Sequence, residues 1–229
     1  MILTIDIETV PTQLAWAHAD LAEGVRPPAT LKKAESIAEW EANSRAAAVQ
    51  EVIDRTSFDG GLGQVVVIGW AIDDQEPQSV QVDDLSPAAE REMLQQWIAA
   101  MRTAYAGTSG SRPTVVGHNH VAFDLPFLSK RLIVHRIRPP LWWPHDPKPW
   151  GDAVFDTMTQ WAGVRDRISL DRLCKILGVP GKGVGPTGAD VWPMVQRGEI
   201  DAVAAYCRAD VDRTRACYLR MTFGGGSWQ

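Results

Sequence analysis

Cysteine is scarce in this sequence, and its three cysteines are too far apart to form a CxxC pair. Disulfide-stabilised scaffolds and cysteine-based zinc sites need closely spaced cysteines, so both classes are excluded. We therefore expect the three cysteines to be buried free thiols in a reducing compartment. His118 and His120 have no basic partner at ligand spacing, and we interpret them as loop or edge residues rather than zinc ligands.

Long apolar runs are also lacking, since no segment reaches the length that a membrane-spanning helix requires. Residues 1–6 do not carry the positively charged region that opens a signal peptide. A strand that starts at residue 1 and bears a candidate ligand at residue 6 leaves nothing to cleave from this end. The sequence predicts a cytoplasmic protein without membrane contact.

Positive charge is the third shortage, with 23 basic against 28 acidic side chains and a formal net charge of −5. A protein that coats nucleic acid without sequence preference usually needs a basic surface, so this balance argues against a pure binding protein. An enzyme that contacts phosphate through metal ions needs less positive charge of its own, because the ions supply it.

The length of 229 residues fits one large domain with a substantial core. Apolar and β-branched runs predict five strands, and the segments between them show helical periodicity. The first strand is followed by an excursion over residues 11–60, of which residues 30–55 are rich in helix-forming residues and predict one or two helices. The predicted strands cover about 1–6, 64–72, 79–82, 113–118 and 153–156, and the last helix covers about 200–221.

Two acids one residue apart, Asp6 and Glu8, belong to the first predicted strand and its end. Side chains at positions i and i+2 of a strand share a face, so both carboxylates can point at one cation. A set of oxygen ligands is typical of Mg²⁺ or Mn²⁺ rather than Zn²⁺. The alternative is an aspartate that caps the turn beside a solvated glutamate.

Two further acids lie on later elements. Asp124 follows a predicted strand and precedes a predicted helix, a position that suits either a helix cap or a ligand. Asp210 lies on the last helix, one turn after Tyr206, so the two side chains are neighbours on the helix surface. A tyrosine hydroxyl in that position can hold a water beside a metal that the carboxylate binds.

These residues carry a family resemblance. The segments Asp6-Ile7-Glu8-Thr9, Asn119-x-x-x-Phe123-Asp124 and Tyr206-x-x-x-Asp210 resemble the three motifs of the DEDD 3′–5′ exonucleases. Tyrosine at 206 is typical of the DEDDy branch, whereas the DEDDh branch would place histidine at position 205, which is Ala205 here. The likeness spans residues 1–10 and 63–222 and extends to bacterial and phage exonucleases related to the proofreading domain of family B DNA polymerases.

The resemblance implies an α/β fold of the RNase H-like type, with a mixed five-stranded sheet flanked by helices and a helical insertion after the first strand. The order of three strands followed by alternating helix and strand agrees with it. We expect one exonuclease domain over residues 1–222, with residues 11–60 as the insertion and residues 223–229 as a flexible tail.

The resemblance also implies a mechanism. Asp6, Glu8, Asp124 and Asp210 would hold two divalent ions, Mg²⁺ or Mn²⁺, and Tyr206 would orient the attacking water. The expected reaction removes nucleoside 5′-monophosphates from DNA 3′ ends, with single-stranded ends preferred. An exoribonuclease of the same fold and a non-catalytic binding subunit are the alternatives, and a replication or repair protein is a candidate partner.

Substrate contacts are less sharply indicated by the sequence. Thr9 and Asn119 are expected at the terminal nucleotide, and Phe123 and Leu125 at the pocket wall, although Phe123 could equally belong to the core. Lys182 opens a glycine-rich loop and is a candidate for a backbone phosphate contact, with a solvated lysine as the alternative.

Three features keep two interpretations each. Trp142 and Trp143 either stack on unpaired bases or anchor an irregular, proline-containing loop to the core. Asp156 is either an outer acid of the metal site or the cap at a strand end. The excursion at residues 11–60 is either a partner surface or a lid.

Overall fold

The computed structural model describes residues 1–106, 112–183 and 185–224 and contains one mixed sheet with the strand order β3-β2-β1-β4-β5. The strands are β1 (Ile2–Val10), β2 (Gln64–Ile72), β3 (Gln78–Gln81), β4 (Thr114–Gly117) and β5 (Val154–Asp156). Strand β1 pairs antiparallel with β2 and parallel with β4, so it lies at the centre of the sheet. The expected five-stranded α/β fold is confirmed.

Nine α-helices lie in the described part of the chain. Three of them form a separate group after the first strand, and the others connect and cover the strands. The nine are α1 (Ala15–Gly24), α2 (Ala34–Asn43), α3 (Arg45–Arg55), α4 (Pro87–Ala106), α5 (Asp124–Val134), α6 (Thr157–Ala162), α7 (Leu170–Leu177), α8 (Val191–Gln196) and α9 (Ile200–Met221). Ser86 and Ser169 accept hydrogen bonds from the backbone in the first turns of α4 and α7, as N-cap residues do. None of the described helices is long and apolar enough to cross a membrane.

The core lies on both faces of the sheet. Strand β2 is buried at every position from residue 64 to 71, and successive side chains of a strand point to opposite faces. Helix α9 packs on β1 and β2, while α4 buries Met93, Leu94 and Trp97 in the same core cluster. Because both faces of the sheet are covered, polar side chains on β1 must find partners inside the protein.

The helical excursion is attached to the sheet at its ends rather than along its length. Helices α2 and α3 fall where the sequence predicts helix, and α1 is an additional helix that the composition does not single out. Within this group only Ala17 of α1 and Ile53 of α3 are buried. The backbone amide of Thr12 donates to Thr56 Oγ1 at 2.8 Å, which fastens the end of the excursion to the residues after β1.

The tryptophan pair packs in the core and is not available to bases. Trp142 and Trp143 are 5% and 3% exposed, and the indole nitrogen of Trp143 donates to Ser129 Oγ at 2.9 Å. The ring of Trp143 meets Trp97 edge-on at 5.4 Å. The structure therefore supports the anchoring interpretation.

The histidines and cysteines differ in part from expectation. His120 is completely buried, with Nε2 3.1 Å from the Val115 carbonyl oxygen, so its description as a loop or edge residue is wrong for the side chain. His118 is half-buried and lies between Thr157 Oγ1 and the Ile168 carbonyl. All three cysteines are buried and free, as predicted. Of the expected tail, residues 225–229 lie outside the described residues.

Candidate active site

The first two acids project from the central strand towards α9. Asp6 lies directly opposite Gly69 of β2, and opposite residues of an antiparallel pair share a face of the sheet. A Cβ atom at Gly69 would lie 2.8 Å from Cys207 Sγ, so this face is the one that α9 covers. Glu8, two residues further along, is on the same face and is only 7% exposed. Both carboxylates therefore lie between the sheet and the last helix.

Gly69 also determines how closely the last helix approaches. Any side chain at this position would collide with Cys207 and crowd Val211, because the added Cβ would lie 2.8 and 3.1 Å from their side chains. With glycine there, α9 lies against the sheet, and Cys207 Sγ reaches the backbone carbonyl of Asp6 at 3.4 Å. This contact places Tyr206 and Asp210, on the same helix, near the acids of β1.

The geometry of the first two acids suits a cation. One ligand atom each from Asp6, Glu8 and Cys207 lies within 4.8 Å of the others, which is the sole such group of three in the described part of the chain. Burial, followed by the carboxylates of Asp124 and Asp210, raises the pKa of Asp6 well above its usual range. Burial and then Asp6 raise the pKa of Glu8 in the same way. The cluster has too little positive charge around it to hold these carboxylates ionised.

The third acid lies where the sequence places it, at a strand-to-helix junction. Asp124 is the first residue of α5 and is buried. Burial raises the pKa of its carboxyl to about 7. It also contributes to the raised pKa of Asp6 and of Glu8, so its carboxylate belongs to the same electrostatic cluster.

The loop that carries this third acid is held by Asp156, at the end of β5. The Asp156 carboxylate accepts hydrogen bonds from the backbone amides of Asn119 at 2.9 Å and Val121 at 3.1 Å. It also caps α6, as one of its two interpretations predicts. Burial alone would raise the pKa of Asp156, but His120 and the backbone amides outweigh burial and hold it at about 2. Asp156 is thus an ionised anchor of the loop.

Asn119 combines a left-handed backbone conformation with an unpaired side-chain oxygen. Its φ of 64° lies in the left-handed region, which asparagine tolerates better than most residues. Its side-chain oxygen is buried and has no hydrogen-bond partner among the described residues. An unpaired buried acceptor costs free energy unless a ligand satisfies it, so Asn119 is a strong candidate for a substrate contact.

The fourth acid differs from the other three because two cations surround it. Asp210 accepts from Lys182 Nζ at 2.6 Å and from Arg213 Nη1 at 2.7 Å. Lys182 also donates to the hydroxyl of Tyr206 at 2.5 Å and lies 4.3 Å from the centroid of its ring. Burial and then the Asp210 carboxylate raise the pKa of the Tyr206 hydroxyl, so this group stays neutral at physiological pH.

The lysine of the glycine-rich loop therefore lies at the site and is not merely solvated. Its Nζ is bound by protein atoms, since Asp210 and Tyr206 occupy it in this structure. The loop itself is fastened through the backbone amide of Lys182, which donates to Asp171 Oδ1 at 3.2 Å. A phosphate contact by Lys182 would use the third N–H of its ammonium group or displace one of these partners.

Of the remaining residues expected to contact the substrate, one lies in the core and two are partly exposed. Leu125 is 1% exposed and packs in the core cluster, so the expectation that it walls the pocket is wrong. Phe123 is half-buried, with its ring between those of Phe58 and Phe127. The Thr9 hydroxyl donates to the Ser57 carbonyl oxygen at 2.7 Å. The lone pairs of Thr9 Oγ1 stay available as acceptors for a ligand.

Two residues of the site are missed by sequence reasoning. Cys207 is predicted as a core thiol, yet its sulfur lies beside Asp6 and Glu8. Arg213 pairs with Asp210 three residues earlier on the same helix, a spacing at which helical side chains meet. That spacing is a signal in the sequence, whereas the position of Cys207 depends on the close approach of α9 to Gly69.

Comparison with known proteins identifies the family to which the chain belongs. A family described as a predicted 3′–5′ exonuclease related to the exonuclease domain of PolB matches residues 59–228, well over half of the chain. No curated protein matches the chain in sequence. The match leaves out β1 with its two acids and the helical excursion, which lie before residue 59.

One solved structure shares the fold at low sequence identity, and two others superpose more weakly. The family B DNA polymerase from the hyperthermophilic archaeon Pyrobaculum calidifontis has a TM-score of 0.58 and 16% identity, over 97% of this chain and 24% of the polymerase. Escherichia coli Exonuclease I in complex with a dT13 oligonucleotide has a TM-score of 0.40 and 14% identity, over 95% of this chain and 42% of that chain. The zinc-bound form of the same exonuclease with single-stranded DNA gives 0.37 and 14%, over 70% and 39%.

At such identities the polymerase structure shows a shared fold, and the weaker superpositions add nothing to it. This chain spans about a quarter of the polymerase, so the activities of that whole protein do not transfer. The family match rests on the sequence itself and covers every element from β2 to α9. The chain belongs to the family of predicted 3′–5′ exonucleases related to the exonuclease domain of PolB, and it is an enzyme of that class.

Proposed function

We propose that this protein is a metal-dependent 3′–5′ exonuclease that removes nucleoside 5′-monophosphates from single-stranded DNA ends. The observation that carries the proposal is the grouping of Asp6 and Glu8 on one face of β1, with a ligand atom of each within 4.8 Å of the other and of Cys207 Sγ. Burial raises the pKa values of these two acids and of the buried Asp124. A fold that holds three such groups together is stable with them ionised only when cations neutralise them.

The donor set fits hard divalent cations. The carboxylates of Asp6, Glu8, Asp124 and Asp210 supply oxygen ligands, which suit Mg²⁺ and Mn²⁺, and Cys207 adds a sulfur whose thiol pKa is raised by burial. A protonated thiol is a poor ligand, so we assign the ions to the four carboxylates. Two bound divalent ions would supply an activated water and stabilise the leaving 3′-oxygen.

The protein's own groups then position the reactants. The Tyr206 hydroxyl is a neutral donor because its pKa is raised, so its role is to orient the attacking water and not to remove a proton from it. Lys182 holds that hydroxyl and neutralises Asp210, together with Arg213. In the overall reaction water attacks phosphorus, the bond to the 3′-oxygen breaks, and a nucleoside 5′-monophosphate leaves a new 3′-hydroxyl.

The terminal nucleotide would lie against Thr9, Asn119 and Phe123. Asn119 offers its unpaired amide oxygen, and Phe123 offers a half-buried ring directly before Asp124. Lys182 is a further candidate for the phosphate, once an incoming anion competes with Asp210. These contacts give little sequence preference, which suits an enzyme that trims ends.

DNA is the first choice of substrate, and RNA is the alternative. The formal net charge of −5 weakens the long-range attraction to a duplex, which favours single-stranded or frayed ends. A non-catalytic binding subunit is disfavoured because all four acids and the tyrosine are present. A cytoplasmic location, a single domain over residues 1–222 and a replication or repair partner remain parts of this proposal.

The test is degradation of end-labelled substrates. A 5′-labelled single strand with Mg²⁺ or Mn²⁺ should shorten from its 3′ terminus and release mononucleotides, and EDTA should protect it. A duplex and an RNA of the same sequence, assayed in parallel, rank the substrates. Internal cleavage products, or activity that EDTA leaves undiminished, would overturn the proposal.

A further inference from the structure

An exposed phenylalanine lies at the end of the helical excursion. Phe58 is 75% exposed and closes the short 3-10 turn Thr56–Phe58 that follows α3. It lies outside the family match, which begins at residue 59. An exposed aromatic ring removes no apolar surface from water in the folded chain, so its contribution to stability is small.

The ring of Phe58 continues a line of aromatic side chains from the core to the surface. Phe127 is buried and lies 5.5 Å from Phe123, and Phe123 lies 6.2 Å from Phe58. The middle ring belongs to the residue directly before Asp124. The line therefore runs from the core out to Phe58, and its middle residue is the sequence neighbour of the third acid.

The turn that carries Phe58 is fixed to the first motif. Thr9 Oγ1 donates to the Ser57 carbonyl at 2.7 Å, and the Thr12 amide donates to Thr56 Oγ1 at 2.8 Å. The backbone of Gly63 approaches this turn so closely that a Cβ there would lie 2.3 Å from the Thr56 carbonyl oxygen. An exposed ring on a fixed turn loses little conformational freedom when a ligand binds.

A groove opens beside this ring. It has a volume of about 330 Å³ and is lined by Thr9, Phe58, Trp192 and Pro193 among others. Two acids on its rim have partners of their own, since Glu51 pairs with Arg55 at 2.6 Å and Asp54 accepts from Gln50 at 2.8 Å. The groove thus joins the first motif to an aromatic surface whose lining also includes the charged residues Glu51, Asp54 and Arg55.

We propose that Phe58 is a stacking platform for an unpaired base of the strand, upstream of the nucleotide that is removed. The inference rests on the proposed function and deepens it by assigning the end of the excursion to substrate binding. Aromatic rings beside a phosphate-processing site bind single strands without sequence preference, because every base has a face to stack. A duplex end has no free base to offer this ring, so Phe58 adds a preference for single-stranded ends.

Equilibrium binding tests this assignment separately from hydrolysis. A short 5′-fluorescein oligothymidylate is titrated with wild type, Phe58→Ala and Phe58→Tyr, using fluorescence anisotropy in Ca²⁺, which also accepts oxygen ligands. We expect Phe58→Ala to raise Kd at least about 5-fold, the ratio that corresponds to the lower end of about 1–3 kcal/mol per stacked base. Phe58→Tyr keeps the ring and should bind like wild type.

The matched control is Trp150→Ala. Trp150 is 74% exposed, as Phe58 is, but it precedes β5 and so lies at the opposite end of the strands from Asn119 and Asp124. Removal of its ring should leave Kd unchanged. An equal loss in both variants would mean that exposed aromatics bind DNA without a specific site, which overturns the proposal.

A scan with single abasic nucleotides locates the contact. Wild type should lose affinity for the oligonucleotide with the abasic position that Phe58 covers, whereas Phe58→Ala should bind that oligonucleotide and the intact one equally. This coupling is the signature of a direct contact in a double-mutant cycle. Additive losses at every position would overturn the assignment.

The outcomes distinguish this inference from the proposed function. A wild type that degrades DNA, with unchanged Kd in Phe58→Ala, overturns the stacking role alone and leaves Phe58 as a surface for another protein. A wild type that binds through Phe58 without degrading DNA supports the stacking role and overturns the exonuclease assignment. A wild type that binds no single-stranded DNA overturns both.

Discussion

Glu8 and Glu90 are two buried glutamates with opposite surroundings. Glu90, on α4, is 1% exposed and accepts two bonds from Arg131, at 2.8 and 2.6 Å, while His135 Nε2 lies 2.8 Å away. Burial alone would raise the pKa of Glu90, but His135 and Arg131 outweigh it and lower the pKa. Glu8 faces other acids, and its pKa is raised by burial and then by Asp6.

The comparison shows which of the two buried carboxylates, Glu90 or Glu8, has protein groups that neutralise it. The Glu90 cluster is complete, because its carboxylate also accepts from the backbone amide of Val65 at 3.0 Å. It serves the structure by joining α4, α5 and β2. Among the described residues no cation pairs directly with Asp6 or Glu8, so these two carboxylates are costly without an external cation. The contrast separates a structural acid from a candidate catalytic one, and the following predictions test it.

The largest expected effect is on activity. Asp6→Ala should lower the rate of 3′ hydrolysis at least ~10³-fold, because it removes a ligand on which both the nucleophile and the leaving group depend. Melting temperature without metal should be unchanged or slightly higher, since one repelling acid is gone. Initial rates and thermal melts on the same preparation check this. A variant that keeps more than about a tenth of wild-type activity would refute the assignment.

Glu90→Ala should act on stability instead. It leaves the Arg131 guanidinium buried without its partner, which costs about 3–5 kcal/mol in the free energy of unfolding. Urea unfolding measures this cost, and Glu8→Ala is the matched variant, with no comparable loss expected. If both variants lost the same stability, the contrast between the two clusters would be false.

Tyr206→Phe should have a smaller effect than loss of an acid. The hydroxyl orients a water without removing its proton, so we expect kcat to fall roughly 10–10²-fold, below the largest effects of a true general base. KM and melting temperature should scarcely move, because the ring and its packing remain. An unchanged kcat, with Asp210→Ala inactive, would make Tyr206 a packing residue.

The smallest effect is the pH dependence of stability without metal. The pKa of Asp124 is raised to about 7 in the folded state, above its unfolded value near 3.9. Its contribution is therefore present at low pH and lost as the pH rises through about 7. We expect the melting temperature in EDTA to fall by roughly 5–10 °C between pH 5 and 8, because the raised pKa of Asp124 costs about 2–3 kcal/mol over this range. For a chain of this size, about 1 kcal/mol corresponds to roughly 2–4 °C.

Two controls sharpen this measurement. Asp124→Asn should flatten the decline, and Mg²⁺ should reverse it, because a bound cation favours the ionised acids. The contribution of Glu90 to stability depends on pH in the opposite direction. Because its pKa is lowered in the folded state, Glu90 stabilises the fold at pH values above its unfolded pKa, and this stabilisation is lost as the pH falls. A melting temperature in EDTA that rises between pH 5 and 8 would contradict the raised pKa values.

Local patterns predict the parts of the fold that local forces determine. The bounds of β2 and of α9 agree with the sequence prediction because each has an uninterrupted apolar pattern at the spacing of its element. Helix α1 is missed because it buries only Ala17 and has no apolar stripe to reveal it. The excursion as a whole is attached to the sheet through its ends, and the periodicity of apolar residues cannot reveal such an attachment.

The site is predictable where a motif carries it and unpredictable where tertiary contacts do. The four acids and Tyr206 follow from three short segments of sequence. The pairing of Lys182 with Asp210 joins residues 28 apart, and that of Arg131 with Glu90 joins residues 41 apart. Nothing local marks these partners. Leu125 is misassigned for a related reason, since its position beside Asp124 says nothing about which way its side chain points.

Metal stoichiometry tests the central claim most directly, namely that the unpaired acid cluster holds divalent ions. Mn²⁺ binding is measured by calorimetry on wild type, Asp6→Asn and Glu90→Gln, at neutral pH and with a nucleoside 5′-monophosphate present. We predict about two ions per chain for wild type and for Glu90→Gln, as expected of a two-metal site, and a loss of binding for Asp6→Asn. Equal binding by wild type and Asp6→Asn, or no binding by wild type, would contradict the account.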